Sequence, residues 1–506
     1  MYITSIPSRQ NGKVYYAILL RESYREGGKV KSRTIANLTG ARPEEIEAMR
    51  YALAHKNELV KLVAARVIDQ GSRLSAVRLA RTHAACDVLG IDAGFCEDDL
   101  YANLGWLAGH QGEIEKRLFE ARRGGRKPEL FLYDVTSSYL EGTENKLGDW
   151  GYNRDGKKGK LQIVIGMLCD EEGDPVSVEV FRGNTNDVKT FGSQIKKAAE
   201  RFGCERVTLV GDRGMIKSGG VEDLRRAGFH YITAITKPQI ETLLNKDVFQ
   251  MELFDEEVCE VDSEEARYVL RRNPRRVEEL GDSRRSKRAS LEKMTAERNA
   301  YLVEHGRARV KTALSLVETK IKRLGIEAWL SVEAEGRTLR LRADEAALEE
   351  ESRLDGCYVL KSDLPSQAAA AQTIHDRYKD LTLVEQVFRT CKTVHLEMRP
   401  VHVRTEEHTR GHALVVMLGY LIVRRLAKAW AAMDLTVQEG LRQLATLSAQ
   451  TVRWPGQTVA VNQIPRPRET SRQLLEKAGV RLPEALPSRG VRVVTRRRLP
   501  ERRKQV

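Results

Sequence analysis

The chain has 506 residues, too many for one small module, and at roughly 100–200 residues per domain it calls for about three. With 41% hydrophobic and 31% charged residues it holds enough apolar material for ordinary cores, which excludes a wholly disordered polymer. Lys and Arg total 85 against 71 Asp and Glu, and the resulting +14 favours a polyanionic partner, nucleic acid first. The longest apolar run, Ala413–Val423, stops at Arg424 and Arg425 and is about half of the ~20 residues a bilayer span needs, so no membrane partner is expected. The opening MYITSIPSRQ lacks the basic start and apolar core of an export signal, and the seven cysteines are scattered with no CxxC pair. The expectation is a cytoplasmic protein, nucleoid-associated when bound to DNA.

In chain order, Tyr2–Ile6, Val14–Arg21 and Val30–Leu38 are β-rich stretches punctuated by Asn11-Gly12 and Gly27-Gly28, predicting a small antiparallel sheet. From Pro43 the text PEEIEAMRYAL opens a helical region that continues to about Phe119. The basic loop Arg122–Pro128 marks a boundary. Beyond it come predicted strands at Leu130–Val135, Leu161–Cys169 and Val176–Phe181, a helix at Asp187–Phe202, a strand at Val207–Val210, a short helix at Val221–Ala227 and a fifth strand at Tyr231–Ile235. Three antiparallel strands followed by two βα units describe an α/β protein with a ribonuclease-H-like core, a mixed five-stranded sheet flanked by helices. Its remaining helix is delayed by a charged insertion in which Arg271–Arg288 alone carries eight cations and three acids. Helical patterning returns at Thr382–Glu397 and Gly411–Met433, and the last 18 residues, from Arg489, hold eight Arg or Lys and one Glu. The partition expected is a β-then-helical DNA-binding region (1–125), the core's first part (126–239), an insertion domain (240–355), the core's second part with the glutamate helix (356–440) and a C-terminal region with a basic tail (441–506).

Asp134, in LFLYDVTSSYLEG, and Asp212, in VTLVGDRGM, each stand at or beyond the carboxyl end of a predicted apolar strand. Alone, either reads as a turn residue. In the sheet order above the first and fourth strands are neighbours, so the two carboxylates converge. Phosphoryl transfer on a nucleic-acid backbone uses two hard divalent cations, which prefer carboxylate oxygens. Glu385 on the delayed helix is the third candidate, with Lys392 two helical turns on, along the same face. The structural alternative for Glu385 is a T-x-x-E capping box with Thr382.

The blocks YDVTSSYLEG, WGYNRDGKKGKLQIVIGMLCDEEGDPVSVEVFRGNTND, GDRGMIKSGGVEDLRRAGFHYI and VEQVFRTCKTVHLEMRPVHVRTEEHTRGHALVVMLGYL stand in an order that resembles insertion-sequence DDE transposases of the IS4-like group, in particular its IS1634-like branch. The resemblance spans roughly residues 126–430. It implies Asp134, Asp212 and Glu385 as catalytic metal ligands. That family's signature of Tyr, Arg, Glu and Lys is met here by Tyr378, Glu385 and Lys392, while the Arg position holds Leu381. Arg389, one turn past Glu385, is a substitute cation, and Leu381→Arg is expected to be tolerated. Arg399, His402, Arg404 and Arg410 form a basic run suited to phosphates or to a solvated face. His408 and His412 are four apart without an HExxH, so DNA contact or surface placement is favoured over zinc.

The function expected is that of a DNA transposase that binds the terminal inverted repeats of its element, cuts their ends and joins them to target DNA. Two Mg²⁺ ions, replaceable by Mn²⁺, are the implied cofactors. Double-stranded DNA is the partner, with a homodimer in a synaptic complex. Lys217-Ser218 lacks the spacing of a phosphate-binding loop, so no nucleotide cofactor is expected. The rivals are a metal-dependent nuclease of the same fold without strand transfer, and a catalytically silent DNA-binding descendant.

Overall fold

The computed structural model describes residues 2–37 apart from 11–12 and 27–28, Thr39, residues 62–487 apart from 70, 90, 92–93, 127, 256, 265, 394–395 and 454–459, and Thr495. The helix expected from Pro43 and the basic tail, Thr495 apart, lie outside the described residues. Two compact units emerge, one of residues 1–207 with 380–506 and one of residues 208–379. Parallel and antiparallel strand pairs both occur, so the class is mixed α/β. No described helix is long and apolar enough to cross a membrane.

In the first unit, β1 (Tyr2–Gln10), β2 (Lys13–Glu26) and β3 (Lys29–Asn37) form the expected antiparallel sheet, with strands longer than their β-rich cores suggest. Helices α1 (Arg73–Thr82), α2 (Ala85–Leu89), α3 (Glu97–Gly109) and α4 (Gln111–Arg123) follow. Next, β4 (Leu130–Tyr139), β5 (Gln162–Asp170) and β6 (Pro175–Arg182) pair antiparallel, with Asp134 opposite Met167. Every residue of β5 is buried, which is why its sequence is a continuous apolar run without alternation. The outer side of β6 is covered by α4, where Val178 donates its N–H to Glu115 and accepts from Gln111 at its carbonyl. A buried carboxylate bonded in this way, and paired with Arg201, closes an edge that would otherwise template further strands. Helix α5 (Asp187–Lys196) is shorter than expected because the chain widens into a π-helical turn at Lys197–Arg201.

The second unit is built on β7 (Thr208–Gly211), α6 (Ser218–Ala227), β8 (His230–Ala234) and α7 (Lys237–Asn245). Strands β7 and β8 are parallel, as a βαβ connection requires. The sheet does not end at β8. Strands β9 (Cys259–Asp262), β10 (Arg267–Arg272) and β13 (Cys357–Ser362) extend it in the order β8-β13-β10-β9, three strands beyond the expected last one. Their sequences sit at the two ends of the charged stretch, which masks them. Between them stand α8 (Pro274–Glu304), α9 (Val310–Leu324), β11 (Leu330–Glu335), β12 (Thr338–Ala343) and α10 (Glu345–Ser352). These have a core of their own in which Ala313, Val317 and Ile321, each one turn apart on α9, meet Leu291, Leu302 and Trp329. The unit closes on α11 (Ala371–Lys379).

The first unit resumes with α12 (Leu381–Cys391), which buries Leu381, Val384, Val387, Phe388 and Cys391 and packs on β4 and β5. At about 1.5–3 kcal/mol for each large apolar side chain fully buried, this stripe fixes the helix on the strands. Helix α13 (Glu406–Ala429) is buried almost all round between Thr409 and Tyr420 and crosses α3 so closely that a Cβ at Gly411 would strike the Leu104 backbone. The chain ends in α14 (Val437–Leu444), a small sheet of β14 (Gln450–Arg453), β15 (Ala460–Gln463) and β16 (Ala485–Pro487), and α15 (Glu469–Lys477).

Candidate functional site

Asp134 is half-buried in β4 among fully buried neighbours, and its Oδ1 accepts from the Val135 N–H at 2.7 Å. Glu385 is exposed on α12. The two are levelled by a third residue. Lys392, the C-cap of α12, places its Nζ 2.5 Å from the carbonyl oxygen of Ser137 on β4. Seven helical residues back from Lys392 is about 10 Å at 1.5 Å per residue, and three strand residues back from Ser137 is about 10 Å at 3.3 Å per residue. At the other end of the helix Leu383 packs on Gly173, beyond the Asp170 that pairs with Phe131, so helix and strand run the same way. Glu385 and Asp134 therefore stand at one level along the packed pair.

Lys392 is not a solvated cation. Its Nζ also donates to Asp155 Oδ1 at 2.8 Å, and Arg399 Nη1 reaches the same oxygen at 2.5 Å. The Asp155 side chain is 1% exposed and that of Lys392 11%. Burial pulls the Lys392 ammonium below the ordinary lysine range, against the opposing pull of Asp155. The other Asp155 oxygen accepts from the Tyr139 N–H at 3.3 Å, tying the loop after β4 to the strand. Sequence reasoning missed Asp155. The signal present is a single acid inside the basic text YNRDGKKGK, preceded by an Asn153 whose Oδ1 accepts from the Asp155 N–H, a turn that presents the carboxylate.

In the second unit Asp212 lies exposed just past β7 and accepts two bonds at Oδ1, from Arg213 N at 2.6 Å and from the Tyr378 hydroxyl at 3.2 Å. Two expected site residues thus meet directly. One turn before Tyr378 on α11 lies His375, which sequence reasoning also missed. His375 is 1% exposed and takes Tyr358 Oη at 2.5 Å and Arg271 Nη1 at 3.1 Å on Nε2, with Nδ1 3.2 Å from Asp376. Two donors on Nε2 require the proton on Nδ1, and burial lowers the ring's pKa further from charging.

The remaining cations divide. Arg389, His402 and Arg404 are exposed. Arg410 is tied to Glu406 at 2.8 Å and to the Val180 carbonyl at 2.8 Å, so it also anchors α13 to β6. His412 is fully buried and not on the surface, and burial with Arg66 and Arg73 nearby lowers its pKa well below the usual value. Leu381 is 8% exposed, so the expected tolerance of an arginine there requires its guanidinium to turn outward from the first residue of the helix. The helix starts at Leu381 with Asp380 as N-cap, so Thr382 is its second residue and the capping box with Glu385 does not form.

Among the described residues, no three His, Cys, Asp or Glu side chains are gathered as a ready metal cage. The donor chemistry nevertheless suits a hard divalent cation, because all three candidates are carboxylates at solvent-reachable positions.

A family model described as the transposase DDE domain matches residues 125–422, more than half of the chain. Another, described as the N-terminal domain of IS1634 family transposases, matches residues 3–63. Curated proteins gave no match. Among solved structures, a piggyBac transposase synaptic complex with hairpin DNA is similar over 84% of this chain and 79% of that one, with 8% identity and a TM-score of 0.32, a likeness too loose to build on.

Proposed function

The chain belongs to the DDE transposases, in their IS1634-like branch, enzymes that use divalent metal to cleave DNA and transfer strands, and on that premise we propose that Asp134, Asp212 and Glu385 are its metal-binding triad. The observation that carries this is the levelling of Glu385 with Asp134 through the Lys392–Ser137 contact. In this reading β4 to β8 form the ribonuclease-H-like part of the fold, 240–355 is inserted into it, and 1–125 reads the inverted repeats at the element's ends. Asp134, Asp212 and Glu385 would hold two Mg²⁺ ions, or Mn²⁺ in their place, which would supply positive charge to the attacking and leaving oxygens. A homodimer brings the two ends and the target DNA together.

The chain's own residues prepare this chemistry. The Val135 N–H holds one Asp134 oxygen in place, and Tyr378 does the same for Asp212, so both carboxylates are oriented before any ligand arrives. Lys392, Arg399 and exposed Arg389 put positive charge at the C-terminal end of the Glu385 helix, where backbone phosphates next to the scissile bond are accommodated.

The test uses the full chain with a pre-cut element end bearing a 3′-hydroxyl. Asp134→Asn, Asp212→Asn and Glu385→Gln each abolish cleavage and joining while duplex binding persists, and each weakens Mn²⁺ binding read by electron paramagnetic resonance. Wild-type joining by any one variant removes that residue from the triad.

A further inference from the structure

We propose that Trp150 and Tyr152 form a stacking platform for unpaired DNA bases beside the cleavage site, a reading that rests on the assignment of Asp134 and Glu385 above. The two rings are 62% and 83% exposed. An isolated exposed aromatic is ordinary. Two of them on either side of one pinned backbone position are a different matter.

The pin is Gly151, where a Cβ would run into the Gly183 carbonyl and the Gln162 amide. On one side, Asp149 and Gln162 exchange backbone bonds of 3.1 and 3.0 Å. On the other, Asn153 Nδ2 donates to the Lys157 carbonyl at 2.8 Å, the Arg154 N–H donates to Ser137 Oγ at 2.8 Å, and Asp155 is buried under Lys392 and Arg399. The rings therefore project from a fixed base, and little backbone freedom is lost when something stacks on them. Exposed Lys157 and Lys158 lie in the same loop and supply phosphate partners to a strand whose bases meet the rings, beside Arg154 and Lys160, which pair with Asp187 and Glu141. Asp155 carries the loop to the Lys392 end of the glutamate helix, which places the platform next to the strand being cut. A base can present its face to a ring only when it is unstacked from its own duplex, so the occupant is single-stranded.

The experiment compares a short mixed-sequence single strand with the same strand annealed to its complement. Trp150→Ala and Tyr152→Ala each weaken single-strand binding about ten-fold and duplex binding by less than about two-fold. Trp150→Phe keeps a ring and stays near wild type in affinity. The single strand quenches the intrinsic fluorescence of the wild type, and Trp150→Phe loses much of that quench, because among the other described tryptophans Trp106 is half-buried and Trp329 and Trp430 are buried. Unchanged circular dichroism and melting temperature in each variant confirm folding. Equal losses on both probes, or none on the single strand, overturn the platform. Asp134→Asn keeps the single-strand preference, so a cleavage-competent Asp134→Asn sinks the metal-site assignment without touching this binding result.

Discussion

Two sets of cations lie within twenty residues of Glu385, and in sequence they look alike. Lys392 and Arg399 converge on a carboxylate that is almost wholly buried, while Arg389, His402 and Arg404 stand in solvent. The first set is structure as much as electrostatics: it fastens the loop after β4 to the end of the glutamate helix. The second is a surface whose charge is available to any polyanion. Removing a member of the first set should disturb the fold around the site, whereas removing one of the second should change only its affinity.

The largest effect is expected at Asp155. Asp155→Ala leaves Lys392 and Arg399 facing each other without their shared anion, at a cost of about 3–5 kcal/mol in urea or guanidinium unfolding. The pairing Asp155→Asn with Lys392→Met removes both charges and recovers much of that loss. If Asp155→Ala melts like the wild type, the cluster is a surface pair and the comparison collapses.

This region also shows what the residue order makes legible. Asp134 and Glu385 were accessible because strands and helices have periods, and an acid interrupting an apolar strand stands out. Asp155 was not, because nothing local announces that its partners are 237 and 244 residues away. The three added strands were hidden for a related reason: β9 and β10 are short and carry charged residues, and only pairing with β13 makes them a sheet. His375 was missed because its partners, Tyr358 and Arg271, come from two of those strands.

Leu381 sharpens the comparison from the other side. The branch signature places an arginine there, yet in this chain the position is part of the apolar stripe of α12. Leu381→Arg should cost about 2 kcal/mol, since the guanidinium must either be desolvated or push the helix off β4. Denaturant unfolding of this variant within about 0.5 kcal/mol of wild type, the scatter of surface substitutions, would show that the helix end can turn the side chain outward.

His412 gives the next effect, and its sign follows from burial. The folded ring resists protonation, held by burial first and then by Arg66 and Arg73, with the Glu397 carbonyl 3.3 Å from Nε2 and His402 adding a smaller repulsion. The unfolded ring titrates near the ordinary 6.5. The folded pKa is depressed, so the unfolded state takes up protons first and stability is lost as pH falls below that value. Between pH 7 and 5 the loss should be about 1–2 kcal/mol, and His412→Gln should flatten that part of the pH profile of unfolding. An unchanged slope in the variant would place the acid sensitivity elsewhere.

The smallest effect belongs to the exposed set. Arg404 stands in solvent one residue before the N-cap Thr405 of α13. Arg404→Ala should change stability by less than about 0.5 kcal/mol, because no buried contact is lost. If Arg404 meets a phosphate, the same substitution weakens duplex binding to any sequence equally and lowers the slope of log affinity against log salt by about one. Duplex binding measured across a salt series for wild type, Arg404→Ala and Lys392→Ala separates the two sets. Arg404→Ala should act through the salt slope alone. Lys392→Ala should also lower the unfolding free energy, since it leaves Asp155 buried with Arg399 as its remaining cationic partner among the described residues. Should the two variants behave alike in both measurements, burial would not distinguish these cations, and the division between a fastening set and a binding set would have to be given up.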